Sequence, residues 1–156
     1  AVRSKGLDGR LVRLFNCYGP MMDMHDGRLV PALVDAVMNG RPLPIHGTGF
    51  QTRSMTYVDD AVDLILLVMK TSQRELQPIN VGNDDERSVL EIAATLARVA
   101  GVKFEVEHAS AREGDPQRRK PDLMLARKLG WTPTTSLEDG LQKTMAWAST
   151  ERLNFA

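Results

Sequence analysis

Short apolar segments alternate with segments of helical periodicity along this chain, and this alternation restricts the fold to the α/β class. The apolar segments are too short for helices and are bounded by glycine, proline or asparagine, as strands commonly are. We predict strands at Arg10–Phe15, Arg41–His46, Gln77–Gly82 and Lys103–Glu107. We predict helices at Leu29–Asn39, from Asp59 or Asp60 to about Lys70, at Ser88–Ala100, at Pro121–Gly130 and from Ser136 onwards.

Local signals predict how the strands pack. The segment Arg10–Phe15 is mainly apolar, which favours a buried strand. Two prolines confine Arg41–His46 to the edge of a sheet or to an extended connector. Charged and apolar residues alternate in Lys103–Glu107, so Phe104 and Val106 are predicted to face the core.

Helix ends are also encoded locally. Asp59 or Asp60 is predicted to cap the second helix, and the nearly unbroken apolar residues 64–69 predict that neighbours cover most of its sides. The segment Ser88–Glu91 has the pattern of a capping box, and Gly101 is predicted to end the helix that follows it.

The stretch Gly47–Asp60 is the most informative part of the chain. Two glycines predict a turn, a short extended segment with Arg53 follows, and two carboxylates then begin a helix. A planar guanidinium on such a strand can hold two phosphate oxygens, in charge-assisted hydrogen bonds of roughly 1.5–3 kcal/mol each. The alternative is an ordinary surface arginine on an edge strand, and the spacing alone leaves both open.

Composition argues against several classes of protein. Twenty basic residues balance twenty acidic ones, whereas binding to nucleic acid or to a membrane surface usually needs a cationic excess. No apolar stretch approaches the roughly 20 residues of a membrane span, and residues 1–10 lack the apolar centre of a signal peptide. The single cysteine, Cys17, excludes an internal disulfide and suits a reducing compartment. We therefore expect a cytoplasmic protein with neither a nucleic-acid nor a membrane partner.

Arginines in or beside loops are the strongest candidates for ligand binding. Arg28 follows an Asp-Gly pair, Arg53 lies on a predicted strand, and Arg118, Arg119 and Lys120 precede a proline. Three separated basic points at one edge of an α/β fold suit a diphosphate or a carboxylate ligand. The alternative for each arginine is a solvated side chain or an ion pair with one of the acidic residues.

The sequence lacks the motifs of a metal site, of a dinucleotide-binding turn and of a catalytic tyrosine–lysine pair. His25, His46 and His108 are too scattered to form a ligand set, so we predict no metal site. The sequence contains neither a glycine-rich turn of the Gly-x-x-Gly-x-x-Gly type nor a Tyr-x-x-x-Lys pair. Four positions after Tyr18 and Tyr57 there is a methionine and an alanine, respectively.

Four segments together resemble the C-terminal half of extended short-chain dehydrogenases that act on nucleotide sugars. They are residues 13–28 (RLFNCYGPMMDMHDGR), 40–60 (GRPLPIHGTGFQTRSMTYVDD), 79–93 (INVGNDDERSVLEIA) and 115–141, which contain DPQRRKPD, ARKLGWTP and LEDGL in order. The Asp-Gly-Arg at 26–28 and the DPQRRKPD at 115–122 are most similar to UDP-glucuronate decarboxylases. The dTDP-glucose 4,6-dehydratases are the near neighbours.

The resemblance implies roles for residues near the reacting sugar. Asn16 would contact the sugar nucleotide, and Cys17 would lie near the nicotinamide end of NAD. Arg28 would lie at the junction of cofactor and substrate. Arg119 would lie in the sugar pocket as a catalytic residue that donates a proton.

The resemblance also implies a nucleotide pocket. The segment from Leu29 to Leu33 would line it, and Arg53 would hold the diphosphate. His46 stands where the family often has a tyrosine against the uracil. Met21 replaces the arginine of the family's Gly-Pro-Arg, so both positions depart from the family pattern.

The family's reaction implies what this chain would do. A catalytic tyrosine and NAD oxidise the sugar C4 hydroxyl, the 4-keto-uronate loses carbon dioxide, and the keto-pentose is then reduced to UDP-xylose. The tyrosine and the glycine-rich turn are not in this sequence, so we expect the chain alone to be inactive. The alternatives are a portion of a dehydratase or a 4-epimerase and, in a different class, a non-catalytic nucleotide-sugar-binding or structural module.

The resemblance defines the expected domain organisation as well. Residues 1–156 would form one truncated unit, in which the last parallel strands of a Rossmann-type domain are interleaved with a small α/β substrate-binding domain. Residues 1–5 would be the last turn of a helix that stops at Gly6. The NAD-binding half would precede Ala1, and the parent protein would be a homodimer.

Overall fold

The computed structural model describes residues 9–72 and 77–154, and within these ranges the chain forms nine strands and five helices. The strands are β1 (Val12–Leu14), β2 (Cys17–Tyr18), β3 (Leu43–His46), β4 (Thr52–Ser54), β5 (Thr56–Tyr57), β6 (Ile79–Val81), β7 (Glu86–Ser88), β8 (Val106–Ala109) and β9 (Arg118–Arg119). The helices are α1 (Leu29–Met38), α2 (Val58–Lys70), α3 (Val89–Ala100), α4 (Met124–Lys128) and α5 (Leu137–Asn154). The predicted α/β class is confirmed. The helical turn predicted at residues 1–5 lies outside the described residues.

The strands of the described part form four small sheets, and three of these sheets are parallel pairs. β1 pairs with β6, β2 with β5 and β3 with β8. The fourth sheet has the order β7–β4–β9, in which β4 runs antiparallel to β7 and parallel to β9. Parallel strands require long crossover connections, and helices supply most of these.

Two apolar cores hold these elements together. The first joins α1, β3, α3 and α5, and the second joins α2, β6 and α4. The β2–β5 pair contributes to both cores: Tyr18 belongs to the first, whereas Cys17 packs against the second. Consecutive strand residues point to opposite faces, so a two-residue strand can serve two cores at once.

The local signals predicted both ends of α3 and the start of α5. Ser88 accepts a hydrogen bond from the amide of Glu91 at 3.1 Å, and the Glu91 carboxylate accepts one from the amide of Ser88 at 2.7 Å. This capping box begins α3, and Gly101 ends it in the left-handed conformation (φ 66°). The Ser136 hydroxyl likewise accepts from the amide of Asp139 at 3.1 Å at the start of α5. The helix predicted from Pro121 begins later than expected, at Met124.

The predicted cap of α2 is wrong. The helix begins at Val58, so Asp59 and Asp60 lie within its first turn and neither side chain caps it. Asp60 is buried, and its carboxylate accepts hydrogen bonds from the amide and hydroxyl of Thr134 and from the amide of Thr135, at 2.9–3.2 Å. Asp60 therefore joins α2 to the segment that precedes α5.

The prediction that neighbours cover most sides of α2 is also wrong. One face of the helix is buried and the other is open, even though both are apolar. The buried residues are Ala61, Leu64 and Val68, and the exposed ones are Val62, Leu66 and Met69. An unbroken apolar sequence does not by itself specify how many neighbours a helix has. No helix in the described part combines the length and hydrophobicity that crossing a membrane requires.

Two predictions about strand burial failed for a similar reason. Arg10–Phe15 contains β1, but Leu14 is 55% exposed, because β6 is the only described strand that pairs with β1. Phe104 is 45% exposed, because the strand begins at Val106 rather than at Lys103. The edge strand predicted at Arg41–His46 is confirmed as β3.

We expect Asp60→Ala to lower the free energy of unfolding by about 2–4 kcal/mol, because three donors lose a buried acceptor. Asp59→Ala is the matched control, since Asp59 lies in the same first turn but is exposed. Its loss should remain below about 1 kcal/mol. Urea denaturation of both variants measures the difference. Equal losses would mean that first-turn charge, rather than contact with Thr134 and Thr135, accounts for the stabilisation.

Candidate functional site

A cavity of about 490 Å³ lies between the N-terminal turn of α1, the ends of β1 and β2, the strands β3 and β4, and the segment 112–119. Most of the residues predicted to bind a ligand line it. They are Asn16, Cys17, Arg28, Leu29, His46, Arg53 and Arg119. Residues from distant parts of the chain therefore meet at one place, as the sequence analysis expected for the arginines.

Strand pairing brings two of the arginines together. Arg53 on β4 and Arg119 on β9 are Cα partners in the parallel register, so both side chains project from the same face of the sheet. Both line the cavity. Arg53 is 8% exposed and lies on the central strand, so the alternative of an ordinary surface arginine on an edge strand is wrong.

The guanidinium of Arg53 is held in a fixed orientation. Its Nη1 donates to the carbonyl oxygens of Thr52 (2.7 Å) and Pro116 (2.8 Å). Its Nη2 donates to Oδ1 of Asp115 at 2.5 Å. Asp115 also lines the cavity, so an anion bound at Arg53 would compete with this carboxylate for the guanidinium.

Arg119 differs from its two basic neighbours. Arg118 makes two hydrogen bonds of 2.8 Å to the carboxylate of Glu86, and Lys120 lies 3.9 Å from the same carboxylate. Neighbouring residues of β9 point to opposite faces, so Arg119 is directed to the cavity instead. Within the described residues the side chain of Arg119 makes no hydrogen bond or ion pair, which leaves its guanidinium available to a ligand.

Arg28 and Cys17 lie close to each other at the cavity. Arg28 forms an ion pair with Asp26, and its guanidinium lowers the pKa of that carboxyl. Burial raises the pKa of the Cys17 thiol above its ordinary value, and the charge of Arg28 opposes this effect only in part. Cys17 is therefore a neutral thiol near pH 7 rather than a nucleophile.

Asn16 has a backbone conformation that is uncommon for residues other than glycine, with φ at 40°. Its amide Nδ2 donates to the carbonyl of Ser54 at 3.0 Å, and its own carbonyl accepts from the amide of Thr56 at 3.2 Å. These bonds attach the end of β1 to the segment between β4 and β5. Asparagine tolerates this left-handed region better than most residues, and uncommon backbone conformations often occur at functional sites.

The pocket segment predicted from Leu29 to Leu33 is one residue too long. Residues 29–32 line the cavity. Leu33 is fully buried in the first core and does not line the cavity. Because α1 turns by about 100° per residue, its first turn can line a cavity while Leu33 faces the interior.

Arg112 is a cavity residue that the sequence analysis did not identify. Its Nη2 donates to the carbonyl of Gly27 at 2.8 Å and lies 3.2 Å from Nε2 of His46. The Nδ1 of His46 lies 3.1 Å from the carbonyl of Ser110. Arg112 occurs in a polar, irregular segment, where no periodicity or motif spacing distinguishes one charged residue from another.

The charges of the cavity favour an anionic ligand. Four arginines line it, against the single carboxylate of Asp115. Guanidinium groups bind phosphate and carboxylate oxygens in pairs. No group of residues in the described ranges has the arrangement of a metal site.

The two tyrosines do not contribute to this cavity. Tyr18 and Tyr57 are buried in the first core, and burial raises the pKa of both hydroxyls. Neither is suited to abstract a proton near neutral pH. The described residues therefore form a site that can bind an anion, without a tyrosine base directed into it.

Comparisons with known proteins identify relatives of this chain. The model of the NAD dependent epimerase/dehydratase family matches residues 1–82. The UDP-glucuronic acid decarboxylase 1 of Xenopus tropicalis is 37% identical over 92% of this chain and 34% of its own length. The UDP-glucuronic acid decarboxylase 3 of Arabidopsis thaliana is 36% identical over 89% of this chain and 40% of its own length. The chain thus spans only about a third to two fifths of these curated relatives.

Solved structures with the same fold include two epimerases. The UDP-glucose 4-epimerase of Thermotoga maritima, solved with UDP-glucose, superposes with a TM-score of 0.90 at 29% identity, over 97% of this chain and 49% of that one. The UDP-glucuronic acid 4-epimerase of Bacillus cereus was solved with UDP-glucuronic acid and NAD. It superposes with a TM-score of 0.89 at 26% identity, over 96% of this chain and 48% of that one. The fold is therefore that of Rossmann-type nucleotide-sugar enzymes.

We expect Arg118→Ala to raise the pKa of Glu86 from about 2 towards its ordinary value of 4.5, because the hydrogen bonds from Arg118 are the largest cause of its depression. Since the folded-state pKa is lowered, this ion pair stabilises the fold above about pH 4.5 and is lost as the pH falls towards about 2. Lys120→Ala is the control and should raise the pKa much less. Carboxyl-detected NMR titration measures each midpoint, and an unchanged midpoint in Arg118→Ala would contradict the assignment.

Proposed function

Because this chain belongs to the NAD dependent epimerase/dehydratase family, we propose that it forms the nucleotide-sugar-binding portion of a UDP-glucuronate decarboxylase. The observation that carries the proposal is the pairing of Arg53 with Arg119 on one face of a sheet that borders the cavity. The sequence relatives support the choice of reaction, since curated UDP-glucuronic acid decarboxylases match most of the chain.

The proposed substrate carries negative charge at two places, which suits the distribution of arginines. A UDP-uronate has a diphosphate in its middle and a carboxylate on its sugar. We assign the diphosphate to Arg53, with Arg112 as a second cation, and the uronate to Arg119. Asn16 and Leu29 contribute further contacts to the sugar nucleotide, and His46 lies at the nucleotide end.

The reaction converts UDP-glucuronate to UDP-xylose and carbon dioxide. Once C4 of the sugar is a ketone, the uronate is a β-keto acid, and its carboxyl carbon–carbon bond breaks with the electron pair left on C5. A positively charged Arg119 holds the carboxylate before this step. Protonation of C5 completes the decarboxylation, and we propose Arg119 as the donor, with solvent restoring its proton.

The cofactor of this reaction is NAD, which when bound accepts a hydride from C4 and returns it after carbon dioxide has left. Cys17 and Arg28 suit the cofactor side of the site. A half-buried neutral thiol can pack against the flat face of a nicotinamide ring, and Arg28 keeps a positive charge at the cavity despite its ion pair. Their role is to position the sugar and cofactor, and no described tyrosine supplies the base.

The family resemblance is also the basis for what we propose about the domain organisation and assembly of the parent protein. Residues 1–156 would be the end of a Rossmann domain interleaved with the substrate-binding domain. The residues that bind most of the NAD, together with the Tyr-x-x-x-Lys base, would lie in another part of the parent, and the chain alone would be inactive. We propose a homodimeric parent on the resemblance alone. We propose a cytoplasmic location because the single cysteine of this chain, Cys17, is free, which suits a reducing compartment.

Two other functions remain as alternatives. A 4-epimerase or a dTDP-glucose 4,6-dehydratase would use the same fold, and epimerases are among the structures that superpose well. A non-catalytic module that only binds nucleotide sugars would use the same cavity without the NAD chemistry.

Product analysis separates these functions. We expect the full-length protein, given UDP-glucuronate and NAD, to release carbon dioxide and form UDP-xylose, identified by mass spectrometry and NMR. A UDP-galacturonate product would indicate a 4-epimerase, and a 4-keto-6-deoxy sugar from dTDP-glucose would indicate a dehydratase. Binding of UDP-glucuronate by calorimetry, without turnover of any of these sugars, would support the non-catalytic module.

Adjacent arginines provide a matched test of the site. We expect Arg119→Ala to lower kcat/KM for UDP-glucuronate by about 10–100-fold, because one or two charge-assisted hydrogen bonds to the uronate are lost. Arg118→Ala should remain within about threefold of wild type, since Arg118 points away from the cavity towards Glu86. Steady-state kinetics at matched fractions of folded protein measures both. Equal losses would contradict the assignment of Arg119.

A further inference from the structure

We infer that His46 is a positioning residue, which orients Arg112 towards the cavity through the lone pair of its Nε2, rather than a stacking surface for the base. The inference rests on the proposed function, because Arg112 matters only if the cavity binds the diphosphate of a nucleotide sugar. It differs from the role that the resemblance implies for this position, where the family's tyrosine lies against the uracil.

The hydrogen bonds assign the tautomer of the His46 ring. The carbonyl of Ser110 can only accept, so Nδ1, at 3.1 Å, must carry a hydrogen and donate it. The guanidinium of Arg112 can only donate, so Nε2, at 3.2 Å, must accept. The two partners together require the neutral Nδ1–H form, because a hydrogen on Nε2 would face another donor.

The backbone around His46 is held firmly, so the ring is a rigid support. His46 is the last residue of β3 and the register partner of Ala109 on β8. Its carbonyl accepts from Nε2 of Gln51 at 2.8 Å, and the next amide, of Gly47, donates to Ala109 at 2.9 Å. The neighbouring His108 donates from Nδ1 to the carbonyl of Gly47 at 2.8 Å, which further ties β8 to the end of β3.

Arg112 is fixed at one end only. Its Nη2 has two hydrogens, which go to the carbonyl of Gly27 at 2.8 Å and to Nε2 of His46. Its Nε and Nη1 hydrogens have no partner within the described residues. Since Arg112 lines the cavity, an anchored Nη2 leaves these three donors available to an anion at little further cost in side-chain entropy.

Two substitutions separate positioning from stacking. His46→Gln keeps an acceptor near the position of Nε2 but removes the aromatic ring. His46→Phe keeps an aromatic ring but removes the acceptor. We expect UDP affinity, measured by calorimetry on the full protein, to stay within about threefold of wild type in His46→Gln and to fall by about tenfold in His46→Phe.

Arg112→Ala shows whether the effect passes through Arg112. In that background, we expect His46→Phe to cause no further loss of UDP affinity. The inference is overturned if His46→Phe binds UDP as tightly as wild type, if His46→Gln loses as much affinity as His46→Phe, or if the loss in His46→Phe persists without Arg112.

A spectroscopic measurement tests the contact without a nucleotide. We expect ¹⁵N NMR of the imidazole to show the Nδ1–H tautomer for His46 in the ligand-free wild type. In Arg112→Ala we expect the resonance of the unprotonated Nε2 to shift, because that nitrogen loses its hydrogen bond, while the Ser110 carbonyl keeps the hydrogen on Nδ1. An Nε2–H tautomer in the wild type, or a spectrum unaffected by Arg112→Ala, would overturn the inference. If the wild type fails to bind UDP, the proposed function fails, and this spectrum still decides whether His46 holds Arg112.

Discussion

The parallel pairing of β4 with β9 is the constraint on which the site depends. This register places Arg53 and Arg119 directly opposite each other on one face of a three-stranded sheet. Like charges in such positions destabilise a sheet, by roughly 0.2–1 kcal/mol on the scale of cross-strand pairs. The nearby carboxylate of Asp115 offsets part of this repulsion through Arg53, and a bound anion would offset the rest. An anion between the two guanidinium groups, as the proposed function expects, would therefore lower the electrostatic free energy of this pair.

The segment that carries Arg53 also connects the site to the first core. Thr56, just beyond β4, donates its hydroxyl to the carbonyl of Phe15 at 2.9 Å and its amide to the carbonyl of Asn16. The next residue, Tyr57, packs edge-on against Tyr18, with ring centroids 5.8 Å apart. The cavity wall at Asn16 and the first core are therefore held by neighbouring residues of one short segment. The backbone of Arg53 on such a support would need little reorganisation if an anion displaced Asp115 from its guanidinium.

Local sequence signals predicted the ends of α3, the start of α5 and the strand that carries Arg53, because the physical causes of these features lie within a few residues. The capping box is an example, since its two residues, Ser88 and Glu91, are three positions apart in the sequence. Features set by distant parts of the chain were not predictable. The exposure of Leu14 depends on which strands pair with β1, and the role of Asp60 depends on Thr134, 74 positions away.

The candidate site shows the same division. Family resemblance identified Arg53 and Arg119 by their motifs, and the structure brings them to one cavity. Arg112 was missed because its importance comes from contacts with Gly27 and His46, 85 and 66 positions away. Leu33 was included wrongly because a sequence range does not reveal where a helix turns away from a cavity.

Strand alternation in β9 has a consequence for how such a protein can change over time. Arg118 and Arg119 are adjacent in the chain, yet one secures the sheet through Glu86 and the other borders the cavity. On the proposed function, a substitution at position 119 would alter ligand preference and leave the ion pair of Arg118 with Glu86 in place. Ligand preference and the stability of the sheet would then evolve independently at two consecutive codons.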